Sequence, residues 1–196
     1  MPISTPTQKS PSSKRRLYTR MLCEGAIMVA LAQILSYIKF LELPNGGSLT
    51  PAMFPVLFFA VRWGLGPGLG AGFVFGVLQF MFDGGFALGW QSIIGDYLAA
   101  FTVLGLAGVF KGKKWGIFAG TVVGCAARFL VHYVVGATIW AEYMPERFLN
   151  MTMTNPWFYS LLYNGVYMLP NTILALVIAG LLFPGLKKYY MGADIR

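Results

Sequence analysis

KWGIFAGTVVGCAARFLVHYVVGATIW, residues 114–140, is apolar almost throughout, yet it carries an arginine, Arg128, and the only histidine of the chain, His132. The run exceeds the about 20 apolar residues that a membrane helix needs. Ionisable side chains cost about 2.5–3.5 kcal/mol each in the middle of such a helix, so they face a bundle interior or a watery cavity. The spacing points the same way. Gly116, Gly120 and Gly124 are followed at the same interval by Arg128, His132, Gly136 and Trp140. Four residues advance a helix by about 400°, so this line drifts slowly around one face. Its small half allows a neighbouring helix to come close. Its polar and aromatic half opens a pocket.

The rest of the chain fits a membrane protein. Of 196 residues, 57% are hydrophobic and 11% charged, against roughly 45–50% and about 25% in soluble domains. Apolar segments fall at about 18–40, 51–63, 66–83, 91–110, 114–140 and 157–184. The second, PAMFPVLFFAVRW, is short and holds Pro51 and Pro55, which predicts a tilted or broken helix. The net charge of +8 would suit nucleic acid, but the cations flank apolar runs, so membrane lipid is the expected partner and nucleic acid is not. With six spans, Lys9, Lys14, Arg15, Arg16, Arg20, Arg62, Lys111, Lys113, Lys114, Lys187, Lys188 and Arg196 fall on one side. The opposite loops hold Arg147 with Glu42, Asp83, Glu142 and Glu146. The positive-inside rule makes the first side cytoplasmic. The expected fold is therefore an all-α membrane protein: six transmembrane helices in a compact bundle, both termini cytoplasmic. Residues 1–17, rich in Pro, Ser and basic groups, read as a disordered tail, residues 18–186 as the membrane domain and residues 187–196 as a short cytoplasmic tail. The run after residue 17 is too long for a cleaved signal sequence.

Cys23 and Cys125 lack metal-ligand or disulfide patterning and read as small buried hydrophobes. Small residues recur at four-residue spacing in other segments: Gly68, Gly72 and Gly76, then Ala26 and Ala30, then Ala32 and Ser36. Such stripes serve packing inside a bundle or docking to another membrane protein. Docking is most attractive for the first segment, as the outermost span.

Three segments bring polar or aromatic groups to one outer level: Asp96 and Tyr97 in the fourth, His132 and Trp140 in the fifth, Tyr159, Tyr163 and Asn164 in the sixth. An interfacial aromatic belt accounts for some Tyr and Trp but not for Asp, His and Asn. Arg128 reads as an ion pair or a carbonyl clamp between helices. His132 reads as a structural hydrogen bond or a ligand contact, and Asp96 as a partner of Arg128 or the seat of a cationic ligand. A carboxylate among aromatic rings suits a flat, cationic, nitrogen-rich molecule. The chain has no phosphate-binding loop of the G-x-x-x-x-G-K-[ST] type, no credible metal cluster and no evident nucleophile–base set. No cofactor or metal is expected.

The segments LELPNGGSLTPAMFPV, GDYLAAFTVLGLAG, RFLVHYVVGATIWAEYMP and YSLLYNGVYMLPN, in this order across about residues 22–185, resemble the thiamine-specificity subunits (S components) of energy-coupling factor (ECF) vitamin transporters. The resemblance implies a six-helix protein of the bacterial cell membrane that binds thiamine from outside and is not an enzyme. It implies as partners an ECF transmembrane coupling subunit and two ATPase subunits, with the whole subunit toppling to deliver ligand. Carried over by motif, the binding residues are Asp96, Tyr97, His132, Trp140, Tyr159 and Asn164, which Tyr163 joins from its own position one turn after Tyr159, and the docking face holds Ala26 and Ala30. Trp140 would stack on the ligand and Asp96 would hold its aminopyrimidine, with ELPNGGSLT as a lid. Three departures stand out. The acid is Asp rather than Glu, the stretch from Trp140 to Tyr159 is longer, and the first outer loop has no tryptophan. A thiamine precursor or another vitamin is the alternative ligand. An embedded enzyme using Asp96 and His132 as acid and base is the alternative class.

Overall fold

A computed structural model describes residues 11–82 and 87–195. Five helices are long and apolar enough to cross a membrane: α1 (Pro11–Ser36, apolar from Lys14), α3 (Leu65–Phe82), α4 (Trp90–Phe110), α5 (Gly116–Thr138) and α6 (Pro156–Tyr190). Between α1 and α3 lies α2 (Met53–Trp63), with only 11 residues. At about 1.5 Å per residue it covers roughly half of a hydrocarbon layer about 30 Å thick.

The shortness of α2 has a structural reason. All of its residues are buried, and it packs against each of the five long helices. A helix that is apolar all round belongs in the interior. Of the sequence expectation of a tilted or broken helix, the break is replaced by an unbroken short helix. Pro55 falls in its first turn, where the backbone N–H would have no helical partner. Its other end closes on Gly64, whose φ of 102° is costly for any residue with a Cβ. There the Gly64 N–H donates to the Ala60 carbonyl (2.7 Å), and Lys111 Nζ donates to the Trp63 carbonyl (2.9 Å).

The glycine stripes are used inside the bundle. Gly68, Gly72 and Gly76 of α3 lie on the backbone of α4 and on Ala60, and Gly120 and Gly124 of α5 on α2 and α4. A Cβ at Gly120 would come within 2.8 Å of Val61 Cγ2 and 2.9 Å of the Ala107 carbonyl. In α1 the two stripes part company. Ala32 and Ser36 are buried, whereas Ala26 and Ala30 are exposed on the outward face beside Leu22, Ile27 and Ile34.

The polar ends differ from expectation in three ways. First, of the tail expected to be disordered, residues 1–10 lie outside the described residues, and Pro11–Leu17 belong to α1. Proline suits a first helical turn, and the Lys and Arg after it are good helix formers. Second, Cys23 is exposed, although Cys125 is buried as expected. An apolar residue on the rim of a membrane bundle faces lipid, so apolarity alone does not bury it. Third, the outer loops contain short antiparallel hairpins. Strands β1 (Leu41–Glu42) and β2 (Ser48–Leu49) form one, β3 (Arg147–Phe148) and β4 (Met151–Thr152) the other. The second turns through Leu149 and Asn150, both at positive φ (52° and 61°), as a two-residue hairpin loop demands.

At the opposite end the two ends of the described chain meet. Arg62, 2% exposed, sits between two carboxylates. It reaches Glu24 (Nε to Oε2 2.7 Å, Nη2 to Oε1 3.0 Å) and Asp194 (Nη1 to Oδ1 2.7 Å, Nη2 to Oδ2 2.8 Å). Arg20 bonds the same two acids, and Trp63 Nε1 donates to Glu24 Oε2 (2.7 Å). The C-terminal residues are therefore clasped to α1 and α2.

Candidate functional site: an enclosed polar cavity

A cavity of about 360 Å³ occupies the outer half of the bundle. Ala52, at the start of α2, is part of its floor. Its walls come from the five long helices, and Gly46, Gly47 and Ser48 of the first hairpin roof it. All seven binding residues named from the sequence line this one space, together with Arg128.

Asp96 lies where α4 departs from α-geometry. Residues Ile93–Ala99 form a π-helical turn, a local widening that recurs at functional sites. Three groups meet its carboxylate. Ser92 Oγ and Trp140 Nε1 each donate to Oδ2 at 2.8 Å, and His132 Nδ1 lies 3.1 Å from Oδ1. The histidine is flanked on its other side by Arg128, whose Nε donates to His132 Nε2 at 3.3 Å. A guanidinium N–H can only donate. Nε2 is therefore the acceptor, the imidazole proton sits on Nδ1, and Nδ1 donates to Asp96. A neutral histidine thus bridges a cation and an anion. Arg128 also lies over the Phe101 ring, 3.9 Å from its centroid, an arrangement that suits a desolvated cation. Among the described residues Arg128 neither pairs directly with Asp96 nor clamps a carbonyl, the two sequence readings, but holds His132.

The α6 wall is aromatic. Tyr159, Tyr163 and Tyr167 form a ladder with ring centroids 5.7 and 5.9 Å apart. Phe148 of β3 covers Tyr159 edge-on at 5.4 Å. The Tyr163 hydroxyl is engaged with the roof: it donates to the Pro44 carbonyl and accepts from the Gly47 N–H (3.1 Å). Asn164 is held within the wall. Its amide nitrogen donates to the Ser160 carbonyl (2.9 Å), and its oxygen accepts from Tyr167 (2.8 Å). Tyr97 lines the cavity with its ring edge-on to Phe80 (5.4 Å).

Several lining groups were not singled out by the sequence. Asn171 ties the roof to α6, donating to the Ser48 carbonyl (2.7 Å) and accepting from the Thr50 N–H (3.1 Å). Gln33 of α1 and Gln79 of α3 complete the lining. Each is a polar residue inside an apolar run, the same signal that marked His132. Among the described residues lining the cavity, Asp96 is the one acid. Lys39, at the mouth, lies 2.6 Å from Glu42.

Fold and site together define a multi-pass membrane protein with a polar cavity at one end of its bundle. Residues 22–191 match the family described as Thiamine transporter protein (Thia_YuaJ). The chain is 32% identical over 177 residues to thiamine transporter ThiT of Bacillus subtilis, covering 83% of this chain and 89% of that one. It is 32% identical over 190 residues to thiamine transporter ThiT of Lacticaseibacillus paracasei, covering 89% and 92%. The chain belongs to this bacterial thiamine transporter family. Its fold matches that of ThiT from Listeria monocytogenes with a TM-score of 0.78, at 24% identity, over 88% of this chain and 98% of that one.

Proposed function

We propose that this chain captures thiamine in the cavity and hands it on as the substrate-binding subunit of an ECF importer, with a membrane coupling subunit and two ATPases as partners. The observation that carries the reading is Asp96. It is an acid fixed by three donors, and the one acid among the described residues of a cavity lined by aromatic rings and uncharged polar groups beside Arg128 and Lys39. Thiamine is a monocation with an aminopyrimidine and a thiazolium ring. A carboxylate pairs with the former and balances the charge of the latter, while Trp140, Tyr159 and Tyr163 supply ring faces. All three neighbours hold Asp96 as an acceptor, which serves binding a cation rather than passing a proton, so the reading is a carrier and not an enzyme.

The test is a thiamine titration of the purified subunit followed by tryptophan fluorescence. Saturable quenching at nanomolar ligand is expected, and it should be largely lost in Trp140→Phe. Stronger binding of the pyrimidine half-molecule than of thiamine would move the assignment to a precursor.

The exposed Ala26 and Ala30 face of α1 is the proposed docking surface, since small residues let a partner helix approach closely. Ala30→Leu is expected to leave thiamine binding unchanged while abolishing uptake in cells that supply the coupling module. Normal uptake by this variant would discard that surface.

A further inference from the structure

We propose that the Gln33–Gln79 amide pair is a second ligand subsite, one that takes an uncharged hydroxyl. The proposal rests on the thiamine reading above and assigns the place of the ligand's alcohol end.

Gln33 and Gln79 each lie three residues before the outer end of their helices, α1 and α3. Both line the same cavity as Asp96. Gln79 Nε2 donates to Gln33 Oε1 at 2.8 Å, and Gln33 Nε2 donates to the Tyr37 hydroxyl at 3.2 Å. This order leaves each amide with unspent capacity. Gln79 keeps its carbonyl oxygen, which meets no donor among the described residues, and Gln33 keeps a second N–H. An acceptor beside a donor is the complement of an alcohol, which gives one hydrogen bond and takes another. Amides in an apolar span are costly unless satisfied, so spare capacity facing a cavity is more than helix–helix adhesion requires.

Position and charge narrow the ligand chemistry. α1 packs on α2 and α3, whereas α5 packs on α2, α4 and α6. The helix of Gln79, α3, also packs on the π-turn that carries Asp96, so the amide pair lies on the α1–α3 side of the cavity, next to the wall that holds Asp96, and one ligand can reach both. Neither glutamine carries charge, so the pair favours a free hydroxyl over its phosphate ester.

The experiment compares thiamine with its deoxy analogue, in which ethyl replaces hydroxyethyl, on the purified full chain. The wild type should prefer thiamine by about three- to tenfold, the worth of one such hydrogen bond. Gln79→Met should erase this preference while keeping the affinity for the deoxy analogue. Gln79→Asn, which retains the amide but withdraws it by one methylene, should fall between and guards against a folding failure. If the pair only joins helices, both variants will lose thermal stability and keep the wild-type preference, and the subsite is overturned. Failure of the wild type to bind thiamine at all would overturn the thiamine reading, and the subsite with it.

Discussion

Asp96→Asn is expected to weaken thiamine binding by more than tenfold, and by about a hundredfold if both charge and hydrogen bonds are lost. Hydrogen bonds to a charged group contribute about 1.5–3 kcal/mol, and tenfold in affinity is about 1.4 kcal/mol. The substitution removes the one acid among the described lining residues and turns one oxygen into an NH₂ donor. That donor must then face Ser92 and Trp140, or else His132, all of which already donate. The measurement is the same fluorescence titration, with circular dichroism to confirm that the variant is folded. Wild-type affinity in a folded Asp96→Asn protein would remove Asp96 from the site. Asp96→Glu is a companion variant. It keeps the charge but lengthens the side chain, and should retain more binding than Asn.

Arg62→Met should destabilise the protein by about 3–5 kcal/mol, the usual consequence of removing one partner from a buried ionic cluster. In this cluster Arg62 and Arg20 balance Glu24 and Asp194. Arg62 is the buried member and makes fork-like contacts to both acids, while Arg20 is largely exposed and cannot replace it. Arg62→Lys keeps the charge without the planar fork and should fall between. Thermal unfolding in detergent is the readout, and an unchanged midpoint in Arg62→Met would mean that water serves the acids equally well. Arg62 beside Asp194 holds that carboxyl well below the usual carboxylate range. A depressed acid stabilises the folded state above its unfolded value, about 3.9, and the contribution is lost as pH falls through the depressed value. The clasp should therefore be at full strength at neutral pH and weaken only in strong acid.

The level at which the site lies was legible in the sequence because each of its residues broke an apolar pattern. Asp96, His132 and Asn164 are conspicuous in membrane helices, and topology alone puts them at one depth. Gln33 and Gln79 break the pattern in the same way but are uncharged, so they stood out less. The role of Arg62 was hidden for a different reason. In sequence it looks like one more cation near a turn, and its partners Glu24 and Asp194 lie 38 and 132 residues away. The π-turn around Asp96 and the two hairpins leave no periodic trace, because strands of two residues are too short to alternate. The brevity of α2 was visible, but its meaning was not. A short apolar run looks like a defective span until its neighbours are known to enclose it.

That helix also decides which way the cavity can empty. Below Ala52 the interior is filled by α2, with Val56, Leu57, Ala60 and Val61 inaccessible to solvent, and the ionic clasp lies at its far end. The molecule is a cup with a stopper for a base, not a channel. In this conformation whatever the cavity holds is separated from the clasp end by the length of α2.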